Sequence, residues 1–287
     1  MEKKVWVYDL ETLDLFTATF VDRDSDEKRV FVISSNRDDR DELFKFLNSE
    51  VAGLIGYNCI HFDAQILEYL YRNPDASATN IRTYAEIITS SDNRRPDVPE
   101  WSLRIPHLDL FRALSLSVKA KRTGLKWCEF MLDMDNIEDM PSQGDGDNWE
   151  EMVLSYNYND VVATKILYEK YKYEIELRKT LTEREKVNLL NSTEPDIAKK
   201  LFAKYLSNAM RIKETDLRSM YTSRDIVHIK DIVFPYIRLQ SYELKTIKKS
   251  FENISVIEGE KYEFTTHFGG IDIVYALGGI HGSVSNK

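Results

Sequence analysis

The chain has 287 residues, of which 43% are hydrophobic and 11% aromatic, a composition typical of a folded globular protein and not of a disordered one. Its two cysteines, Cys59 and Cys128, have no partner cysteines or histidines at metal-binding spacing, which argues against a disulfide framework and a structural zinc site. No apolar run has the length of a membrane span and no signal peptide precedes the first predicted strand, so we expect a cytoplasmic protein.

The charge of the chain is unevenly distributed along the sequence. The formal net charge is −9, which argues against a protein that is basic over its whole surface. Residues 199–250, however, contain twelve Lys or Arg against five Asp or Glu, so the acidic surplus lies elsewhere. This asymmetry is compatible with an enzyme that binds nucleic acid through one basic region, and a solvated basic face is the alternative.

The order of apolar runs predicts an α/β domain. The run from Val5 to Tyr8 is β-branched and aromatic, which predicts a strand buried on both faces. Further strands are predicted over 17–22, 29–34, 51–58 and 105–110, and helices over 38–48, 64–71, 149–178 and 198–210. Because a three-strand meander precedes alternating helices and strands, we expect a mixed sheet flanked by helices. A more basic composition after Arg178 predicts a domain over 1–178 and a mainly helical connecting region over 179–287, in which longer helices precede shorter strand-like pieces.

Two carboxylates follow the first predicted strand. Asp9 and Glu11 are two residues apart, so their side chains lie on the same face of an extended strand. At a separation of about 4 Å and an effective dielectric constant of about 20, two carboxylates repel by roughly 4 kcal/mol. A shared proton or a bound divalent cation would relieve this repulsion. A strand that ends in a polar turn is the alternative interpretation.

Two later segments carry similar signals. Asn58 ends a predicted strand and Asp63 begins the next helix, where a role as a helix cap would also explain an aspartate. Tyr156 and Asp160 are four residues apart and share one face of a predicted helix, while Tyr158 lies roughly opposite and is expected to pack against the domain. An ordinary helix with a core tyrosine is the alternative for this third motif.

The order of these motifs matches a known set. With Asp9-Leu10-Glu11-Thr12, then Asn58 and Phe62-Asp63, then Tyr156 and Asp160, the sequence resembles the DEDDy 3′–5′ exonucleases of the ribonuclease H-like fold. It is most similar to the proofreading domain of viral B-family-like DNA polymerases. The DEDDh branch would carry a histidine five residues before the last aspartate, where this chain has Ser155, so Tyr156 favours the DEDDy branch.

The resemblance implies hydrolysis of DNA phosphodiesters from the 3′ end with two Mg²⁺ or Mn²⁺ ions. In this interpretation Asp9 bridges both ions, Glu11 and Asp160 complete the ion that activates water, and Asp63 holds the other. Oxygen ligands of this kind suit Mg²⁺ or Mn²⁺ better than zinc. Tyr156 would orient the attacking water through its hydroxyl group.

The resemblance also implies contacts with nucleic acid. Thr12, Asn58 and Phe62 match residues that bind the terminal nucleotides, and the Phe62 ring offers a face on which any base can stack. The implied substrates are the 3′ ends of single-stranded DNA and of primer–template DNA.

The last part of the sequence extends the resemblance. Phe268-Gly269-Gly270 and the segment Gly278–Gly282 resemble the stretch that precedes the palm in viral B-family-like polymerases, although a flexible turn is the alternative for the second segment. No palm motif follows before Lys287, so we expect a proofreading module whose partner is a polymerase polypeptide. Two other functions stay open: a free-standing RNA-processing exonuclease of the same fold, and a non-catalytic DNA-binding scaffold, which would be expected to lack one of the four carboxylates.

Overall fold

The computed structural model describes residues 2–90, 96–117, 123–142, 148–220, 224–257, 260, 262–268, 271–276 and 281–284. It divides into two compact units, Met1–Arg211 and Ile212–Lys287. This division differs from the boundary predicted near Arg178, because the chain beyond Arg178 remains attached to the first unit. Asn191 accepts a hydrogen bond from the Asp109 N–H at 2.9 Å and donates one to the His107 carbonyl at 2.8 Å.

The first unit contains one sheet and eight helices in the part of the chain that the structure describes. Its strands are β1 Lys4–Thr12, β2 Phe16–Asp22, β3 Lys28–Ile33, β4 Val51–Gly56 and β5 His107–Asp109. Its helices are α1 Arg40–Ser49, α2 Asp63–Arg72, α3 Ala78–Ser90, α4 Leu110–Ala113, α5 Leu125–Met131, α6 Trp149–Lys170, α7 Lys172–Glu185 and α8 Glu194–Met210.

The sheet is mixed, with the strand order β3-β2-β1-β4-β5. β1 pairs antiparallel with β2, and β2 with β3, as the predicted meander requires. β1 pairs in parallel with β4, and β4 in parallel with β5. The first strand therefore lies at the centre of the sheet, which explains why its apolar residues are buried on both faces.

Hydrophobic clusters cover the two faces of the sheet. Trp6, Tyr8 and Leu10 belong to the cluster that includes residues of α1, α2 and α3. Val7 belongs to the second cluster, which includes buried residues of α6 such as Val161. Because strand residues alternate between faces, Asp9 and Glu11 continue the Val7 face and point towards α6.

The second unit is described by itself. It contains α9 Glu214–Ser219, β6 Ile226–His228, α10 Tyr242–Glu252, β7 Ser255–Ile257, β8 Glu263–Phe268, β9 Ile271–Ala276 and β10 His281–Val284. β6 and β7 form one antiparallel pair, and the last three strands form an antiparallel sheet in the order β10-β9-β8. These strands agree with the shorter strand-like pieces expected after the helices of the connecting region. Gly269, Gly270 and 278–280 of the predicted pre-palm segments lie outside the described residues.

Several helices of the first unit differ from the sequence prediction. α3, α4 and α5 were not predicted, and the single helix predicted over 149–178 is two helices that meet at Tyr171. α8 begins at Glu194, four residues before the predicted start, with the Thr193 side chain accepting a hydrogen bond from the Asp196 N–H and proline in the first turn.

The architecture of the first unit is α/β, with a five-stranded mixed sheet flanked by helices. The predicted fold class is confirmed, and the arrangement is consistent with a ribonuclease H-like fold. None of the helices within the described ranges is long and apolar enough to cross a membrane.

Candidate active site

Three carboxylates converge where the end of β1 faces α6. Asp9 and Glu11 lie at the end of the central strand, and Asp160 lies on the facing helix, more than a hundred residues later in the chain. One carboxylate oxygen from each residue lies within 4.8 Å of those of the other two. The structure therefore brings together three of the four carboxylates that the sequence predicts for a metal site.

The electrostatics of this group reflect burial and mutual repulsion. Burial raises the pKa of Asp9 well above its usual range, and the charges of Asp63, Glu11 and Asp160 raise it further. Burial also raises the pKa of Glu11 to about 8, with Asp160 and Asp63 adding to the shift. The negative charges of these carboxylates are therefore poorly compensated by the protein alone. A cation bound between them would favour their ionised forms.

Asp63 lies beside this group at the first residue of α2. Its side chain is 4% exposed, and its Oδ1 accepts a hydrogen bond from the Leu10 N–H of β1 at 3.1 Å. Burial raises the pKa of Asp63 to about 8, although the bond from Leu10 lowers it. The residue thus lies against the segment between Asp9 and Glu11 but outside the group of three converging oxygens.

The two tyrosines of α6 lie in different environments. Tyr156 is 8% exposed, and burial raises the pKa of its hydroxyl well above the usual range, with the Asp160 carboxylate adding to the shift. Tyr158 is 38% exposed, and the Lys28 Nζ lies 4.1 Å from its ring centroid. The prediction that Tyr156 shares a face with Asp160 agrees with this arrangement. Tyr158, expected to pack the helix against the domain, is partly covered there, with its ring against Lys28 at the start of β3.

Two further residues contact the carboxylates and were not predicted. Asn157 donates a hydrogen bond from Nδ2 to Asp9 Oδ2 at 2.7 Å. Lys126, on α5, places its Nζ 2.6 Å from Asp160 Oδ1 and 3.3 Å from Glu129 Oε1, and 4.5 Å from the Tyr156 ring centroid. The spacing of three between Asn157 and Asp160 could have indicated the shared helix face. Nothing in the sequence indicates the contact of Lys126, because α5 and α6 are separate elements.

A cleft contains two of the three residues predicted to bind nucleic acid. Thr12 and Phe62 line a cavity of about 430 Å³. α3 and α6 also line it, through residues that include Arg82, Glu86 and Trp149. Arg82 forms ion pairs with Asp14 and Glu86, so its charge is largely compensated within the protein. The sequence did not indicate that residues of α3 line the cleft, because that helix was not predicted.

Asn58, the third of these residues, has a backbone role in the structure. It adopts the left-handed conformation, with φ 57°, and its N–H donates to Asp109 Oδ1 at 3.0 Å. The other carboxylate oxygen of Asp109 accepts from the Ile60 N–H at 3.3 Å. The buried Asp109 therefore fixes the turn that carries Phe62 and Asp63, and Asn58 does not line the cleft.

The donor set fits a hard divalent cation. Asp9, Glu11 and Asp160 offer carboxylate oxygens, which suit Mg²⁺ and Mn²⁺, and no cysteine or histidine belongs to the group. Their raised pKa values indicate that Lys126 alone does not neutralise them. The residues that could hold a metal are therefore these three, with Asp63 adjacent.

No model of a known protein family matches the chain, and no curated protein is similar to it in sequence.

Proposed function

We propose that this chain is a 3′–5′ exonuclease that hydrolyses DNA phosphodiesters and acts as the proofreading module of a replicative DNA polymerase. The convergence of Asp9, Glu11 and Asp160 within 4.8 Å is the observation that carries this proposal. It is supported by the sequence resemblance, by the position of Asp63 against β1 and by the burial of Tyr156 beside Asp160.

The carboxylates would hold two Mg²⁺ or Mn²⁺ ions, with Asp9, Glu11 and Asp160 as direct ligands and Asp63 contributing to the second ion. When bound, such ions lower the pKa of water and stabilise negative charge on the leaving oxygen. Asn157 fixes the orientation of the Asp9 carboxylate through its hydrogen bond. Burial raises the pKa of Asp160, and the hydrogen bond and charge of Lys126 offset part of this increase and so favour the ionised ligand.

The remaining residues would position the substrate. The Tyr156 hydroxyl would orient the attacking water next to Asp160, which lowers the entropic part of the barrier. The Phe62 ring would stack on a terminal base, a contact worth about 1–3 kcal/mol that is independent of sequence. An editing site needs this lack of sequence preference, because any base can be misincorporated. Selectivity for mispaired ends would follow from the smaller cost of melting them.

The proposal is tested with a single-stranded DNA oligonucleotide labelled at its 5′ end. In the presence of Mg²⁺ or Mn²⁺ we expect a ladder of products shortened from the 3′ end, and no products with EDTA. Asp9→Asn should reduce the rate by at least about 100-fold. Asp26→Asn is the matched control, because the Asp26 side chain is fully exposed. A wild-type protein that shortens neither DNA nor RNA under these conditions would refute the enzyme proposal.

The same assay separates the alternatives. An RNA oligonucleotide of identical sequence that is degraded faster than the DNA would favour the RNA-processing exonuclease. DNA binding without hydrolysis would favour the scaffold, although all four carboxylates are present in the sequence. A faster reaction on a mispaired than on a paired primer end is the result expected of a proofreading module.

A further inference from the structure

A second cleft lies in the first unit, bounded by α5, α6 and α7. It has a volume of about 510 Å³, which is within the range of small-molecule sites. Its apolar walls include Leu114, Leu116, Trp127, Met131 and Leu132. None of the four carboxylates of the candidate active site lines it.

Arg178 of α7 lines this cleft, and its buried Nε has no hydrogen-bond partner. The residue is 8% exposed. Within the described ranges it forms no ion pair: Glu174 and Glu194 influence its charge only from a distance. A buried Nε–H with no acceptor is costly, because its lost hydration is not replaced by a hydrogen bond. An acceptor supplied from outside the chain would remove that cost.

The charges at the rim of the cleft do not replace such an acceptor. Glu174, Glu194 and Asp133 also line the cleft, but they are exposed, so water and salt screen their charges. Lys170, also exposed, adds a positive charge at the rim. The cleft thus combines apolar walls with a guanidinium whose fork geometry matches a carboxylate or a phosphate group.

We propose that this cleft binds a small organic acid, with an apolar body against the walls and its acid group on the Arg178 guanidinium. The acid group is a carboxylate or a phosphate monoester, which Arg178 recognises in the same way. The site shares α5 with the candidate active site: Lys126 contacts Asp160, whereas Trp127 and Met131 line the cleft.

Calorimetric titration tests this proposal with three probes that share one chain length: octanoate and octyl phosphate below their micelle-forming concentrations, and 1-octanol below its solubility limit. We expect saturable binding of octanoate or octyl phosphate to the wild type, and binding of 1-octanol at least 10-fold weaker. The stronger of the two anions identifies the acid group. Arg178→Met should weaken the binding of that anion at least 10-fold.

The controls separate binding from folding. Arg178→Met replaces an unpaired buried charge by an apolar chain, so we expect its Tm without ligand to equal or exceed that of the wild type. Arg178→Lys keeps the positive charge but loses the paired N–H donors of the guanidinium, so it should bind the anion with intermediate affinity. Lys179→Met removes the neighbouring charge of α7, which does not line the cleft, and should bind as the wild type does. No saturable binding of either anion to the wild type, or equal binding to Arg178→Met, would overturn the proposal, and neither outcome bears on exonuclease activity.

Discussion

Tyr156 and Tyr158 show how the helical period separates two neighbouring tyrosines. Tyr156 is buried beside Asp160, with the Lys126 ammonium over its ring, whereas Tyr158 lies at the surface under Lys28. Positions two apart on a helix are about 200° apart around its axis, so only one of them can face the β1 carboxylates. The candidate for orienting water is therefore Tyr156.

Replacing each tyrosine by phenylalanine tests this assignment. Tyr156→Phe removes one hydroxyl and keeps the ring under Lys126, so we expect single-turnover hydrolysis to slow by roughly 10- to 100-fold with little change in DNA affinity. Tyr158→Phe keeps the ring under Lys28 and should leave both the rate and the free energy of unfolding unchanged within about 0.5 kcal/mol. A slow Tyr158→Phe with a normal Tyr156→Phe would contradict the assignment.

The sequence predicted residues whose type and spacing carry information, and it missed those that depend on packing between elements. The spacing of Asp9 and Glu11 and of Tyr156 and Asp160 follows from the periods of a strand and a helix, and the structure brings three of these carboxylates together. Lys126 contacts Asp160 from a different helix. The hydrophobic periodicity within one helix or strand does not predict a contact between two elements. The metal ligation and the role of Tyr156 stay predictions.

At the scale of elements, the turn after β4 depends on one buried side chain. Asp109 ends β5 and accepts hydrogen bonds from the N–H groups of Asn58, Ile60 and Phe111. β4 and β5 are adjacent and parallel, so the end of one strand can fix the loop that follows the other. This loop leads directly into Asp63 at the start of α2.

Asp109→Ala should therefore destabilise the first unit. It leaves three buried or partly buried N–H groups without their acceptor, and we expect a loss of about 2–4 kcal/mol in the free energy of unfolding. Asp109→Asn keeps one acceptor oxygen and should lose less, while Asp26→Asn serves as the exposed control. Urea unfolding followed by tryptophan fluorescence measures the differences. If Asp109→Ala unfolds at the wild-type midpoint, the carboxylate does not hold the turn.

The sequence predicted strongly patterned elements well and weakly patterned ones poorly. The meander and the strand after α1 were predicted because continuous apolar runs fill a central sheet. In α3 only Ile81 and Ala85 are buried, so its apolar stripe is too sparse to indicate a helix. The break between α6 and α7 at Tyr171 coincides with no proline or glycine, and only the structure reveals it.

At the scale of the whole molecule, the acidic site is a source of instability in the metal-free protein. The raised pKa values of Asp9, Glu11, Asp63 and Asp160 mean that the folded state retains protons which the unfolded chain releases near pH 4. Within the described ranges, Lys126 is the cation that forms an ion pair with this group, through Asp160, and it also forms an ion pair with Glu129. The free energy of unfolding is therefore highest, as far as these groups affect it, when they are protonated below about pH 4. It falls as the pH rises towards 8 and the groups ionise in the folded state.

This linkage gives the last prediction, which needs no activity assay. The Tm of the metal-free protein should fall between pH 6 and pH 8, and Mg²⁺ or Mn²⁺ should restore it more at pH 8, because the ions bind the ionised carboxylates. Asp9→Asn removes one of the repelling charges and keeps an acceptor for Asn157, so the metal-free variant should gain about 1 kcal/mol at pH 8, or about 2–4 °C in Tm. The same variant should lose most of the metal-induced gain, whereas Asp26→Asn should behave as the wild type at both pH values. A Tm that does not respond to either ion in the wild type would show that these carboxylates do not form a metal site, whatever their separation.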